Sequence, residues 1–95
     1  MFYLNVWLNV KNEADVERVA ELLAEQGKLS RAEDGCLRFE VYQSQSDRRK
    51  FLLNEHWRSP ASIETHRQGK AYTTIYQPQV LPLVEREGHP SDLIG

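Results

Sequence analysis

Phe2-Tyr3-Leu4-Asn5-Val6-Trp7-Leu8-Asn9-Val10 alternates with the two-residue period of a strand. Phe2, Leu4, Val6, Leu8 and Val10 form one wholly apolar face. Tyr3, Asn5, Trp7 and Asn9 form the other, aromatic and amide mixed. Neither face has the character of a surface left to water. A strand wanting cover on both sides predicts helices on one face of a sheet and something else on the other. In a chain of 95 residues, the something else is a second subunit.

Downstream, Asn12 suits an N-cap, with Asp15 as its capping-box acid. Val16, Val19, Ala20 and Leu23 recur at helical spacing, so a helix buries that stripe and ends before the turn signal Asp34-Gly35. Cys36 to Ser44 sets Leu37, Phe39 and Val41 against Arg38, Glu40 and Tyr42. Phe51, Leu53, Glu55 and Trp57 share one face of a third strand, and the polar stretch Gln45 to Lys50 is its hairpin loop. Ser59-Pro60 opens a second helix, expected to reach about Gly69. A further helical piece carries Tyr72, Ile75 and Tyr76 and is expected to stop at Pro78 and Pro82. Leu83 to Glu87 reads as a short last strand, followed by a tail over 88–95.

The order β-α-β-β-α-β predicts an α+β, ferredoxin-like domain over residues 1–95, an antiparallel sheet with its helices on one face. The open face is expected to be apolar and covered by a second copy, sheet to sheet. Twelve basic against fourteen acidic residues give a net charge of −2, without the basic footprint of a nucleic-acid binder. No apolar run approaches the ~20 residues of a membrane span. The lone Cys36 forms no internal disulfide, which suits a cytoplasmic protein. The three histidines lack tight metal-ligand spacing, and no Gly-rich phosphate loop occurs, so neither a metal nor a nucleotide or flavin cofactor is expected.

Glu33-Asp34-Gly35-Cys36-Leu37-Arg38-Phe39-Glu40-Val41-Tyr42 resembles the acid-Pro-Gly-Cys-Leu-x-Phe-x-Val-Tyr stretch of the antibiotic biosynthesis monooxygenase domain family. Glu55-His56-Trp57-Arg58-Ser59, with Ala61 and His66, resembles that family's Glu-x-Trp-x-Ser…His segment. The resemblance covers nearly the whole chain. It implies a homodimer whose sheets form a shared barrel (a dimeric α/β barrel) and a pocket between sheet and helices in each subunit. The family's known members include cofactor-independent oxygenases of phenols and quinols, haem-degrading enzymes and an isomerase. The Trp and His of the haem-degrading members correspond here to His66 and Tyr76, and the Asn of the polyketide oxygenases to Leu53.

The first reading is therefore a cofactor-free monooxygenase acting with dioxygen on a quinol-like or phenolic small molecule. Such chemistry needs a base, donors for developing oxyanion charge and a dry aromatic pocket. His66 is the candidate base, since an unperturbed imidazole titrates near neutrality. Asn5 is the candidate donor to substrate or dioxygen. Glu55, on a covered face, requires a partner or a raised pKa, with Arg38 a candidate partner. Trp57, Trp7, Tyr72 and Tyr76 are candidate pocket walls. Each has a structural alternative: a packed histidine, a backbone-bonded amide, a sheet-holding ion pair, core or interface aromatics. His56 and His89 read as surface or dimer residues, and Cys36 as a small buried side chain. Two other functions use the same domain, a proton-transfer isomerase and a non-catalytic dimeric binding or stress-linked module. A cavity of ~300 Å³ or more at His66 and Asn5 favours an enzyme.

Overall fold

A computed structural model describes residues 1–95. Strand β1 spans Phe2–Val10, helix α1 Val16–Arg31, strand β2 Cys36–Gln43 and strand β3 Lys50–Trp57. Helix α2 spans Pro60–His66, helix α3 Ala71–Val80 and strand β4 Val84–Ser91. The strands form one antiparallel sheet in the order β2-β3-β1-β4, with the three helices on one face. This is the ferredoxin-like α+β arrangement that the element order predicts.

Alternation places the core. Leu4, Val6, Leu8 and Val10 of β1 and Phe51, Leu53, Glu55 and Trp57 of β3 are all buried against the helices. Val16, Val19, Leu22 and Leu23 of α1 meet them, and Ile63, Ile75, Tyr76 and Val80 close the far end. No helix is long and apolar enough to cross a membrane.

Several boundaries depart from the sequence expectation. Asn12 caps a single 3-10 turn over Glu13–Asp15, accepting from the Ala14 amide at 3.0 Å, and Asp15 makes no side-chain cap bond to α1. Leu37 is 49% exposed rather than part of the inner face, because a bulge between Cys36 and Arg38 shifts the register of β2. The second helix ends at His66, short of Gly69. Pro78 does not stop α3. That segment winds as a π-helix through Pro78 to Val80 and passes into a 3-10 turn at Leu81–Leu83. The hydroxyls of Thr73 and Thr74 donate back to the Gly69 and Lys70 carbonyls (2.9 and 2.6 Å), and burial of Ile75, Tyr76 and Val80 holds the irregular helix down.

The last strand also runs further than Glu87. Gly88, His89, Pro90 and Ser91 pair with Val6, Asn5, Leu4 and Tyr3, so only 92–95 remain beyond the sheet. Pro90 is tolerated because β4 is an edge strand. The outer sheet face is not uniformly apolar. Trp7, Leu52 and Tyr42 make an apolar row across β1, β3 and β2, beside a polar row of Asn5, Asn54 and Glu40.

Candidate active site

A cavity of about 360 Å³ lies between the inner sheet face and helices α2 and α3. His66, the last residue of α2, is 5% exposed and lines it. Its Nδ1 lies 2.5 Å from Glu33 Oε1 on the loop after α1. The imidazole stacks on Trp57, with ring centres 4.5 Å apart and planes at 37°. Tyr72 meets it edge-on at 5.9 Å, and Tyr72 contacts Tyr76 at 5.4 Å, one turn on. Aromatic rings thus clamp the imidazole in one orientation.

Glu55 enters the cavity from β3 and is 4% exposed. Its Oε1 accepts from Trp57 Nε1 at 3.0 Å. Burial pushes the Glu55 carboxyl up to about 7, against the Trp57 bond and the charges of Arg86 and Arg67, which pull it down. Arg38, the partner considered from sequence, instead pairs in register with His56 on the outer face and lies 3.8 Å from Glu40. Two residues on from Glu55, Trp57 is fully buried; it stands behind the cavity, holding Glu55 and His66, rather than lining it.

Tyr72 and Tyr76 do line the cavity. Burial raises the Tyr76 phenol to about 12, so it keeps its proton at neutral pH. Its oxygen accepts from Arg86 Nε at 2.9 Å, which leaves that proton for a ligand. Arg86 contributes a cation to the wall, and Arg67 another that is paired with Glu64 at 2.7 Å. Gln26 of α1 is 1% exposed and lines the same space, and its Oε1 has no partner in the protein. That oxygen is sealed inside the wall, an unpaired acceptor rather than a contact for a ligand.

Asn5 and Trp7 do not reach the cavity. The period of two that turns Leu4 into it turns both of them to the outer face. There Asn5 accepts from Asn54 Nδ2 at 2.8 Å and donates to Ser91 Oγ at 3.0 Å, a structural amide bridging three strands. Trp7 is 39% exposed. His56 packs edge-on against Tyr3, and His89 pairs with the exposed Glu87, both on that outer face. The Cys36 thiol is raised to about 11 by burial and by Glu33 and Glu55, which keeps it un-ionised at neutral pH. No group of three or more His, Cys, Asp or Glu side chains converges as a metal site would.

The sequence reading missed Glu33, Gln26, Arg67 and Arg86. Gln26 left a signal, a polar residue seven positions after Val19 on the buried stripe of α1. Arg86 left another, two residues from buried Val84 and so on the same side of its strand, although it is itself exposed at the sheet edge. Glu33 gave none, since only the folded loop brings it to His66.

The family model described as "Antibiotic biosynthesis monooxygenase" matches residues 1–77. An uncharacterized protein of Bacillus subtilis, YjcS, is 26% identical over 85 residues, covering 90% of this chain and 80% of the relative. A solved structure of a conserved protein of unknown function from Bacteroides thetaiotaomicron superposes with a TM-score of 0.88 at 24% identity. It covers 97% of this chain and 96% of its own. Rv0793 from Mycobacterium tuberculosis superposes with a TM-score of 0.80 at 24% identity, each chain covered in full. These two likenesses establish the fold.

Proposed function

The chain belongs to the antibiotic biosynthesis monooxygenase family, and from that premise we propose that it is a cofactor-independent monooxygenase. It oxidises a quinol-like or phenolic compound with dioxygen and works as a cytoplasmic homodimer, one domain per chain. The observation that carries the reading is the convergence of His66 and Glu55, a base and a carboxyl pushed up to about 7, on one aromatic cavity of about 360 Å³.

His66 takes the phenolic proton. The phenolate gives one electron to dioxygen, and the resulting radical and superoxide combine at a ring carbon, forming a hydroperoxide. The peroxide takes back the proton held by His66 to become that hydroperoxide. His66, again a free base, then removes the ring C–H proton as the O–O bond breaks, and a proton delivered to the departing hydroxide releases water and leaves a carbonyl on the ring. Glu55, close to half protonated at neutral pH, is the proton donor. The Tyr76 hydroxyl and Arg86, which also line the cavity, stabilise the developing oxyanion. Asn5 and Trp7 have no part in the cavity chemistry.

Oxygen consumption by the metal-stripped protein over a panel of quinols and polyphenols tests this. Wild type is expected to consume oxygen and His66→Ala to lose at least about 10²-fold of the rate. Retention of most of the rate in His66→Ala removes the base assignment. The same base and acid also suit a proton-transfer isomerisation, and turnover that persists without oxygen would favour that second reading. A wild type inert toward every compound in both conditions would favour a binding module.

A further inference from the structure

His66 stands between two spaces. The residue lines the inner cavity and also an outer cleft of about 300 Å³ formed by Glu33, Asp34, Ser62, Thr65 and Gly69. Glu33 lines only the outer cleft, so the Nδ1 edge that it holds faces outward. The opposite nitrogen, Nε2, has no hydrogen-bond partner in the protein. Nor is it sealed, since the sealed and unpartnered side-chain atoms are Gln26 Oε1 and Ser30 Oγ.

We propose that Glu33 is the positioning residue of His66, fixing the neutral ring as the Nδ1–H tautomer and leaving the Nε2 lone pair to the inner cavity. A neutral imidazole has one donor and one acceptor nitrogen, and an ionised carboxylate only accepts. With Glu33 on Nδ1, the acceptor is Nε2. When Nε2 takes a substrate proton, the carboxylate balances the charge of the imidazolium. The proposal rests on His66 being the base of the cavity.

The fold builds this pair deliberately at two glycines. Gly35 has φ +85°, which turns the loop onto α2, and a Cβ there would lie 2.4 Å from Ser62 Oγ. Its carbonyl accepts from the Arg58 amide at 2.8 Å, tying the loop to the end of β3. A Cβ on Gly69 would lie 2.8 Å from Glu33 Oε2, so a side chain there pushes the carboxylate from its present place beside the imidazole. The other charged or titratable groups around the ring are Asp34 in the outer cleft, Glu55 from β3, Arg67 just after α2, Tyr72 and Tyr76 from α3, and Arg86 from β4. None of them hydrogen-bonds His66.

The test is the imidazole 15N spectrum of His66 at pH 8.5, assigned by its loss in His66→Ala. Wild type is expected to show a protonated Nδ1 and an unprotonated Nε2. Glu33→Ala releases the ring toward the Nε2–H form. Gly69→Ala, which displaces the carboxylate and keeps it in the chain, produces the same change. A wild type in the Nε2–H form, or 15N shifts that neither variant moves, would overturn the proposal. This readout needs no substrate, so it stands whatever the oxygen panel shows. On any substrate the panel finds, Glu33→Gln lowers kcat by about 10–10²-fold with KM little changed, and Glu33→Asp restores part of it. A Glu33→Gln enzyme with wild-type kcat would equally defeat the assignment.

Discussion

At neutral pH the Glu55 carboxyl is divided between two protonation states, because burial raises it to about 7. In the unfolded chain it titrates near the ordinary carboxyl value of 4.5. Between those values the folded protein holds a proton that the unfolded chain has released. The stability contributed by this group is therefore fully present below about pH 4.5 and declines as pH rises through 7. The difference across the window is about 3 kcal/mol. Glu55→Gln keeps an oxygen for the Trp57 indole and removes the titration. Urea unfolding at pH 5 and pH 8 should show wild type losing stability relative to Glu55→Gln as pH rises. A constant difference between the two proteins would mean that Glu55 ionises at its ordinary value.

Among the elements, α2 carries the most function for its length. It has seven residues and delivers His66 from its last turn. Its start is fixed by Ser59, whose Oγ accepts from the Ser62 amide at 3.3 Å, with Pro60 at the first helical position. Ser59→Ala is expected to cost about 1 kcal/mol, a fall in melting temperature of about 5 °C for a domain this size. An unchanged melting curve would show that Pro60 and packing of Ile63 suffice as the start. The sequence marked this start without ambiguity. It did not mark the end, or the π-winding of α3, since neither depends on local preference. Pro78 argues against a helix on its own, and burial of Ile75, Tyr76 and Val80 overrides it.

For the whole molecule, the outer sheet face leaves Trp7 39% and Tyr42 51% exposed, side by side with Leu52. Large aromatics grouped beside a hydrogen-bonded amide row fit a face that meets a second copy. Sedimentation equilibrium at micromolar concentration is expected to give a particle of twice 11.1 kDa. Trp7→Glu should return it to the single-chain mass. A wild-type particle at 11.1 kDa would leave that face uncovered and refute the homodimer.

What the sequence determined by itself follows from periodicity. Alternation in β1 and β3 fixed which residues face the helices, and with it the burial of Glu55 and Trp57 beside each other. The same alternation already separated Asn5 and Trp7 from Leu4. Asn5 and Trp7, expected in one pocket with Glu55 and Trp57, lie on the other face of the sheet, and the cavity occupies only one. Spacing also placed His66, Tyr72 and Tyr76 on helical segments that turn out to share a wall. Only the tertiary structure decided what those residues meet. Glu33 is 33 positions from His66 and touches it through a left-handed glycine turn and a gap left by Gly69. Arg86 reaches Tyr76 because pairing of β4 with β1 sets it opposite Leu8, on the face turned to the helices. Such contacts depend on loop closure and strand register, which are set by packing across the whole chain rather than by any local run of residues.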